Sequence, residues 1–100
     1  MKQPAILKLN FSHDLYDDMT DSLLAFPGGE LDFMAYSVQA HGRKLENISE
    51  QVSGFKQKMV IEINTEQNQA EQIYHHLKES MSSASFNYQL YPLIALDVSQ

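Results

Sequence analysis

Residues 5–11 read AILKLNF, and their alternation sets the frame for the rest of the chain. Ala5, Leu7, Leu9 and Phe11 fall on one side; Ile6, Lys8 and Asn10 fall on the other. A period of two marks a strand with one face on a core. Moving outward, Ser12 offers an N-cap, and Asp14, Asp17 and Asp18 place negative charge in the first turns of a helix. Leu15, Met19, Leu23 and Phe26 then recur at helical spacing as one apolar stripe. Pro27-Gly28-Gly29 stops the helix and turns the chain. Residues 32–39, DFMAYSVQ, read as a second strand, with Phe33 and Ala35 on one face and Met34, Tyr36 and Val38 on the other.

Residues 40–54, AHGRKLENISEQVSG, break the pattern and read as a long loop, with Asn47 and Glu50 spaced to cap a single helical turn. Such a loop in a small domain is generally functional or mobile. Alternation resumes over 55–63: Phe55, Met59, Ile61 and Ile63 share one face, and Lys56, Lys58, Val60 and Glu62 the other. Asn64 with Gln67 is the expected cap of a second helix running to about Met81, with Ala70, Ile73, Tyr74, Leu77 and Met81 as its stripe. Phe86, Tyr88 and Leu90 open a last strand that Pro92 ends, which suits an edge. Residues 93–98, LIALDV, read as a short further strand or an extended tail.

The order is β-α-β-β-α-β plus a tail. The expected fold class is therefore α+β: a ferredoxin-like sandwich in which two helices cover one face of a four-stranded antiparallel sheet. A chain of 100 residues, 43% hydrophobic and 20% charged, is the size of one domain, taken here as 1–100. Thirteen acids against seven bases give a net charge of −6, which disfavours a phosphate backbone as partner. There is no Cys, hence no disulfide and no thiolate site. No apolar run is long enough for a signal peptide or a membrane span, so a soluble, cytoplasmic protein without membrane insertion is expected.

Two helices leave the other sheet face bare. Ile6, Met34, Tyr36, Val38 and Val60 lie on it by alternation, and five bulky apolar residues on one face imply that copies of the chain bury it in a homo-oligomer. The alternative is that the tail, with Leu93, Ile94 and Leu96, folds across it.

The stretch HGRKLENISEQVSG at 41–54, followed by a strand, a helix and Tyr88-x-x-x-Pro92, resembles an uncharacterised PII-like family whose members are often associated with heavy-metal efflux systems. The shared motif is His41-Gly42 before the loop and Glu50-Gln51-Val52-x-Gly54 closing it, with Asp21-Ser22-Leu23-Leu24 in the first helix also similar. The similarity runs from about residue 6 to 95. It implies the same ferredoxin-like fold, a trimer whose sheets face the centre, and a regulatory loop carrying His41, Gly42, Arg43, Glu50, Gln51, Val52 and Gly54 in the place of the PII signalling loop. Departures exist: Phe55 stands where many members carry a basic residue, and no Trp accompanies Tyr88 and Tyr91. Four glycines and one arginine, Arg43, supply no phosphate cradle, so nucleotide binding is not carried over.

Four clusters carry candidate chemistry. His41 with Glu46 and Glu50 is the best metal candidate, its imidazole and carboxylates suiting a divalent transition metal such as zinc, copper, nickel or cobalt. In the plainer alternative His41-Gly42 turns the chain and Glu50 caps a helical turn. Asp14, Asp17, Asp18 and Asp21 line one helix side, a docking face for a basic partner or an ordinary solvated face. His75 and His76 point about 100° apart on a helix and make a poor ion site. Ser12-His13-Asp14 holds the letters of a catalytic triad, but contiguous residues cannot aim at one another. With paired carboxylates only on solvent sides, where nothing tunes their pKa, an enzyme is not expected. The reading is a PII-like regulatory module sensing a small ligand or metal ion through residues 40–54, with an efflux-system protein as partner. The alternative is a divalent-metal-binding buffer or tolerance protein.

Overall fold

The computed structural model describes residues 3–42 and 54–94. Strand β1 spans Pro4–Ser12, and a short 3-10 turn over His13–Leu15 leads into helix α1, Tyr16–Leu24. Strands β2 (Asp32–Ala40) and β3 (Lys56–Glu66) follow, then helix α2 (Gln67–Ser80) and strand β4 (Asn87–Pro92). The sheet order is β2-β3-β1-β4, with every neighbouring pair antiparallel. This is the ferredoxin-like β-α-β-β-α-β sandwich that the alternation and the two stripes call for.

The core lies between the helices and one sheet face. Leu7, Leu9 and Phe11 of β1 meet Met59, Ile61 and Ile63 of β3 on that face, and Met19, Leu23, Ala70, Ile73 and Leu77 of the helices close over them. β1 and β3 are the inner strands, so their core-facing side chains are buried from both sides. Leu9, Ile61, Ile63, Ile73 and Leu77 are fully excluded from solvent. Phe26 and Met81 seal the two helix ends.

The helix starts differ from expectation. Ser12 is the last residue of β1 and its side chain caps nothing; the backbone tightens through His13–Leu15 before α1 begins. β3 runs on to Glu66, so Asn64 is a strand residue opposite Ile6, not a cap. Thr65 Oγ1 instead donates to Gln69 Oε1 at 2.7 Å, and the Gln67 amide donates to the Gln3 carbonyl at 2.9 Å. Backbone pairing with β1 thus holds the residues that look like a cap locally, because a central strand offers more than one side-chain bond can.

β4 ends at Pro92, opposite Ala5. The Leu93 amide donates to the Pro4 carbonyl at 3.0 Å, and Gln3 Nε2 donates to the Leu93 carbonyl at 3.2 Å. Residues 93 and 94 are not part of a strand, and the remainder of the expected 93–98 strand, with Leu96, lies outside the described residues. Ile94 points into solvent.

Candidate functional site

The register sets the face that the helices leave bare. Reading across β2, β3, β1 and β4, one row is Asp32, Asn64, Ile6, Tyr91 and the next is Met34, Glu62, Lys8, Gln89. A third is Tyr36, Val60, Asn10, Asn87, and a fourth begins Val38, Lys58, Ser12. The apolar residues expected here are present, but they do not form one greasy patch. Met34, Tyr36 and Val38 stand on the edge strand β2, whereas the centre mixes Ile6 and Val60 with Lys8, Asn10, Lys58, Glu62 and Asn64.

Exposure sorts them further. Met34 is 60% exposed, Tyr36 42% and Tyr91 45%, while Ile6 and Val38 are half-buried. Val60, expected at an oligomer interface, is only 3% exposed in the single chain. It sits on an inner strand, opposite Tyr36 and Asn10 and between Lys58 and Glu62 along β3. Tyr36 does more than present a ring. Its hydroxyl donates to Glu62 Oε2 at 2.8 Å, one row along on the neighbouring strand, and that bond to a carboxylate holds the phenol above its ordinary value. The Asn10 Oδ1 atom is buried here without a hydrogen-bond partner.

At one end of this face the β2–β3 pair carries the root of the central loop. Ala40 is opposite Lys56, so His41, Gly42, Gly54 and Phe55 flank that last pair. His41 is exposed, and its ring lies 5.8 Å from that of Phe55. Gly54 has φ +81, a left-handed conformation that side chains resist, so the motif glycine closing the loop meets a backbone need. Gly42 has no such need, and a Cβ there would meet open space. Arg43, Glu46, Glu50, Gln51 and Val52 lie outside the described residues. Among the described residues no group of three or more His, Asp or Glu side chains is placed to hold a metal ion.

The other candidates resolve into local roles. His76 Nε2–H donates to the Ser22 carbonyl at 2.7 Å, and its ring meets Phe26 edge-on at 5.6 Å, so it ties α2 to the end of α1. Sequence reading missed this role; the only signal was the position of His76 between Ile73 and Leu77 on the flank of the buried stripe. The Ser22 and Ser80 hydroxyls bond to each other, and Ser80 Oγ donates to the His76 carbonyl at 2.9 Å. His75 is exposed beside Tyr74. Asp14, Asp17, Asp18 and Asp21 are all exposed, and Asp18 and Asp21 rim an open cavity of about 470 Å³ with Leu15, Ser22 and Ser80. The Tyr74 and Tyr88 rings are 4.3 Å apart, and the polar influence of the Tyr74 side chain pushes Tyr88 up from the usual phenol value.

The family described as "Protein of unknown function (DUF3240)" matches residues 1–99. The chain belongs to the DUF3240 family. A DUF3240 protein of known structure from Shewanella baltica OS155 is 19% identical, with all of both chains covered and a TM-score of 0.70. CPII, a nitrogen regulatory PII-like protein from Thiomonas intermedia K12 bound to ADP, AMP and bicarbonate, is 9% identical over 98% of this chain and 100% of its own, at a TM-score of 0.62. A second structure of CPII, bound to ADP, AMP and acetate, gives 0.63 over 93% of this chain and 89% of its own at 9% identity. At these identities the likeness is one of fold: this DUF3240 chain shares the architecture of PII-like signalling proteins. No curated protein matches it. Among the described residues no helix is long and apolar enough to cross a membrane.

Proposed function

We propose that this DUF3240 chain is a PII-like regulatory binding module, assembled as a homotrimer, that senses a small ligand or a metal ion through residues 40–54 and passes the signal to a partner. The effector implied by the family resemblance is a metal-efflux system. The observation that carries the reading is the bare sheet face. A ferredoxin-like layer with Met34, Tyr36 and Tyr91 exposed on its uncovered side is suited to assembly, and the root of the loop lies at the end of that side. The PII-like fold supports a regulatory role, since CPII holds adenine nucleotides and a small anion on it. Ligand binding at residues 40–54 would change how that segment is presented to the partner.

Hydrogen exchange over residues 42–53, with zinc, nickel, ADP or AMP added, tests the sensing step. Slower exchange with one of these probes is expected, and equal exchange with all of them contradicts it. A second reading is a metal-binding buffer, favoured by the exposed imidazole of His41 at the loop root. Its ligands would be His41, Glu46 and Glu50. Stoichiometric metal binding that His41→Ala weakens, without any change in loop exchange, selects this reading over the first.

A further inference from the structure

Helices α1 and α2 leave a groove between them that is hollowed at two places. The first hollow, of about 470 Å³, has Leu15, Met81 and Ala84 as its apolar part and Asp18 and Asp21 on its rim. The second, of about 510 Å³, lies between Phe26 and Gly28 on one side and Gln72, His75 and Glu79 on the other. Between the two, His76 Nε2–H donates to the Ser22 carbonyl, and the Ser22 and Ser80 hydroxyls bond to each other. Ser80 borders the first hollow and His76 the second, and these residues are four apart on α2. The hollows therefore follow one another along the groove at a spacing of roughly one helical turn, about 5.4 Å.

The walls carry one sign of charge. Residues 12–32 hold six acids and no base, and Lys78, the one base on either helix, is exposed and borders neither hollow. Asp17 and Asp21 are four apart on α1 and Asp18 and Asp21 three apart, so both pairs repel along the helix. The end of α2, at Ser80 and Met81, opens on the first hollow, and a helix C-terminus attracts cations. A cation supplied from outside relieves the repulsion on α1 and meets the end of α2 at the same place.

We propose that this groove docks a basic segment of a partner protein, with one arginine or lysine side chain in each hollow. In the first, the aliphatic stem lies on Leu15, Met81 and Ala84 while the charged head reaches Asp18 and Asp21. In the second, Phe26 takes the stem and Glu79 the head. Two hollows in series suit side chains carried on one backbone. Nucleic acid and anionic membrane are repelled by the same acids that attract this partner. The first hollow is at the loop-root end of the molecule: α1 follows Ser12, which is opposite Lys58, two residues from the Ala40–Lys56 pair. An assembly that buries the bare sheet face leaves the helix side in water. The inference goes beyond the proposed function, since docking in the groove requires no ligand response from residues 40–54.

The test uses a fluorescein-labelled nonapeptide of alternating arginine and glycine, titrated into the full chain at low salt and followed by anisotropy. Asp18→Asn/Asp21→Asn removes two charges from the groove. Asp17→Asn/Glu30→Gln removes two exposed charges that border neither hollow, so net charge changes equally. Both variants lose like-charge repulsion, so folding is retained. The groove variant should weaken binding about fivefold or more, and the control less than about twofold. Ser83→Trp, at an exposed position on the wall of the first hollow, fills it without changing charge and should weaken binding as well. No binding up to millimolar peptide overturns the proposal. Equal weakening by both charge variants overturns it too, because the attraction is then diffuse. An unaffected Ser83→Trp contradicts insertion into the hollow, and spermine binding as tightly as the peptide contradicts a protein partner.

Discussion

Gly28 shows how a single missing methyl shapes this chain. A Cβ at that position would collide with the Phe26 ring at Cε2, although its backbone is one any residue adopts. Phe26 is buried at the end of α1 against His76, so its ring has little room to retreat. Gly28→Ala is expected to cost about 1–3 kcal/mol by overpacking, read as a lowered denaturation midpoint with an unchanged slope. Tyr36 gives a pH-dependent prediction. Its bond to the Glu62 carboxylate raises the phenol above the ordinary value of 10.0, so the protonated form is favoured in the folded chain. The contribution is therefore whole below the ordinary value and is lost as pH rises through the raised one. Tyr36→Phe should cost at most about 1 kcal/mol near neutrality, the pair being solvated, and its deficit should vanish well above pH 10. Denaturation curves of both proteins across that range check it; a deficit that grows with pH contradicts the assignment.

At the scale of elements, α1 is a helix in tension with its own charge. Asp17 and Asp18 sit in its first turn, where the dipole welcomes them, but Asp21 stands near its end. Asp21→Lys should stabilise the protein by about 0.3–1 kcal/mol at low salt and by less at high salt, seen in thermal melts. The inner strands behave oppositely. Ile61 is fully buried between two neighbours, and Ile61→Ala should cost about 2–5 kcal/mol. These elements were legible beforehand because each has one buried face: the alternation of Ala5 to Phe11 and the stripe from Ala70 to Met81 record it directly. What escaped was set by partners distant in the chain. Asn64 with Gln67 looks like a helix cap until β1 pairs with Asn64. His76 looks like a surface residue until α1 brings the Ser22 carbonyl to it.

At the scale of the molecule, the apolar residues on the bare face were readable by alternation, but their arrangement was not. Only the strand order shows that Lys8, Asn10 and Glu62 separate Met34 and Tyr36 from Tyr91, and that Val60 is already buried. The exposed apolar surface is consequently concentrated on β2 and β4, the two strands with a free side. Of the loop motif, His41, Gly42 and Gly54 are placed at its root, and the positive φ of Gly54 gives one motif residue a backbone reason. The account stands on the claim that these strands are covered by further copies of the chain. Size-exclusion chromatography with light scattering at micromolar concentration measures this directly. A mass of three chains of 11.4 kDa is expected, and a mass of one chain across the concentration range contradicts the account.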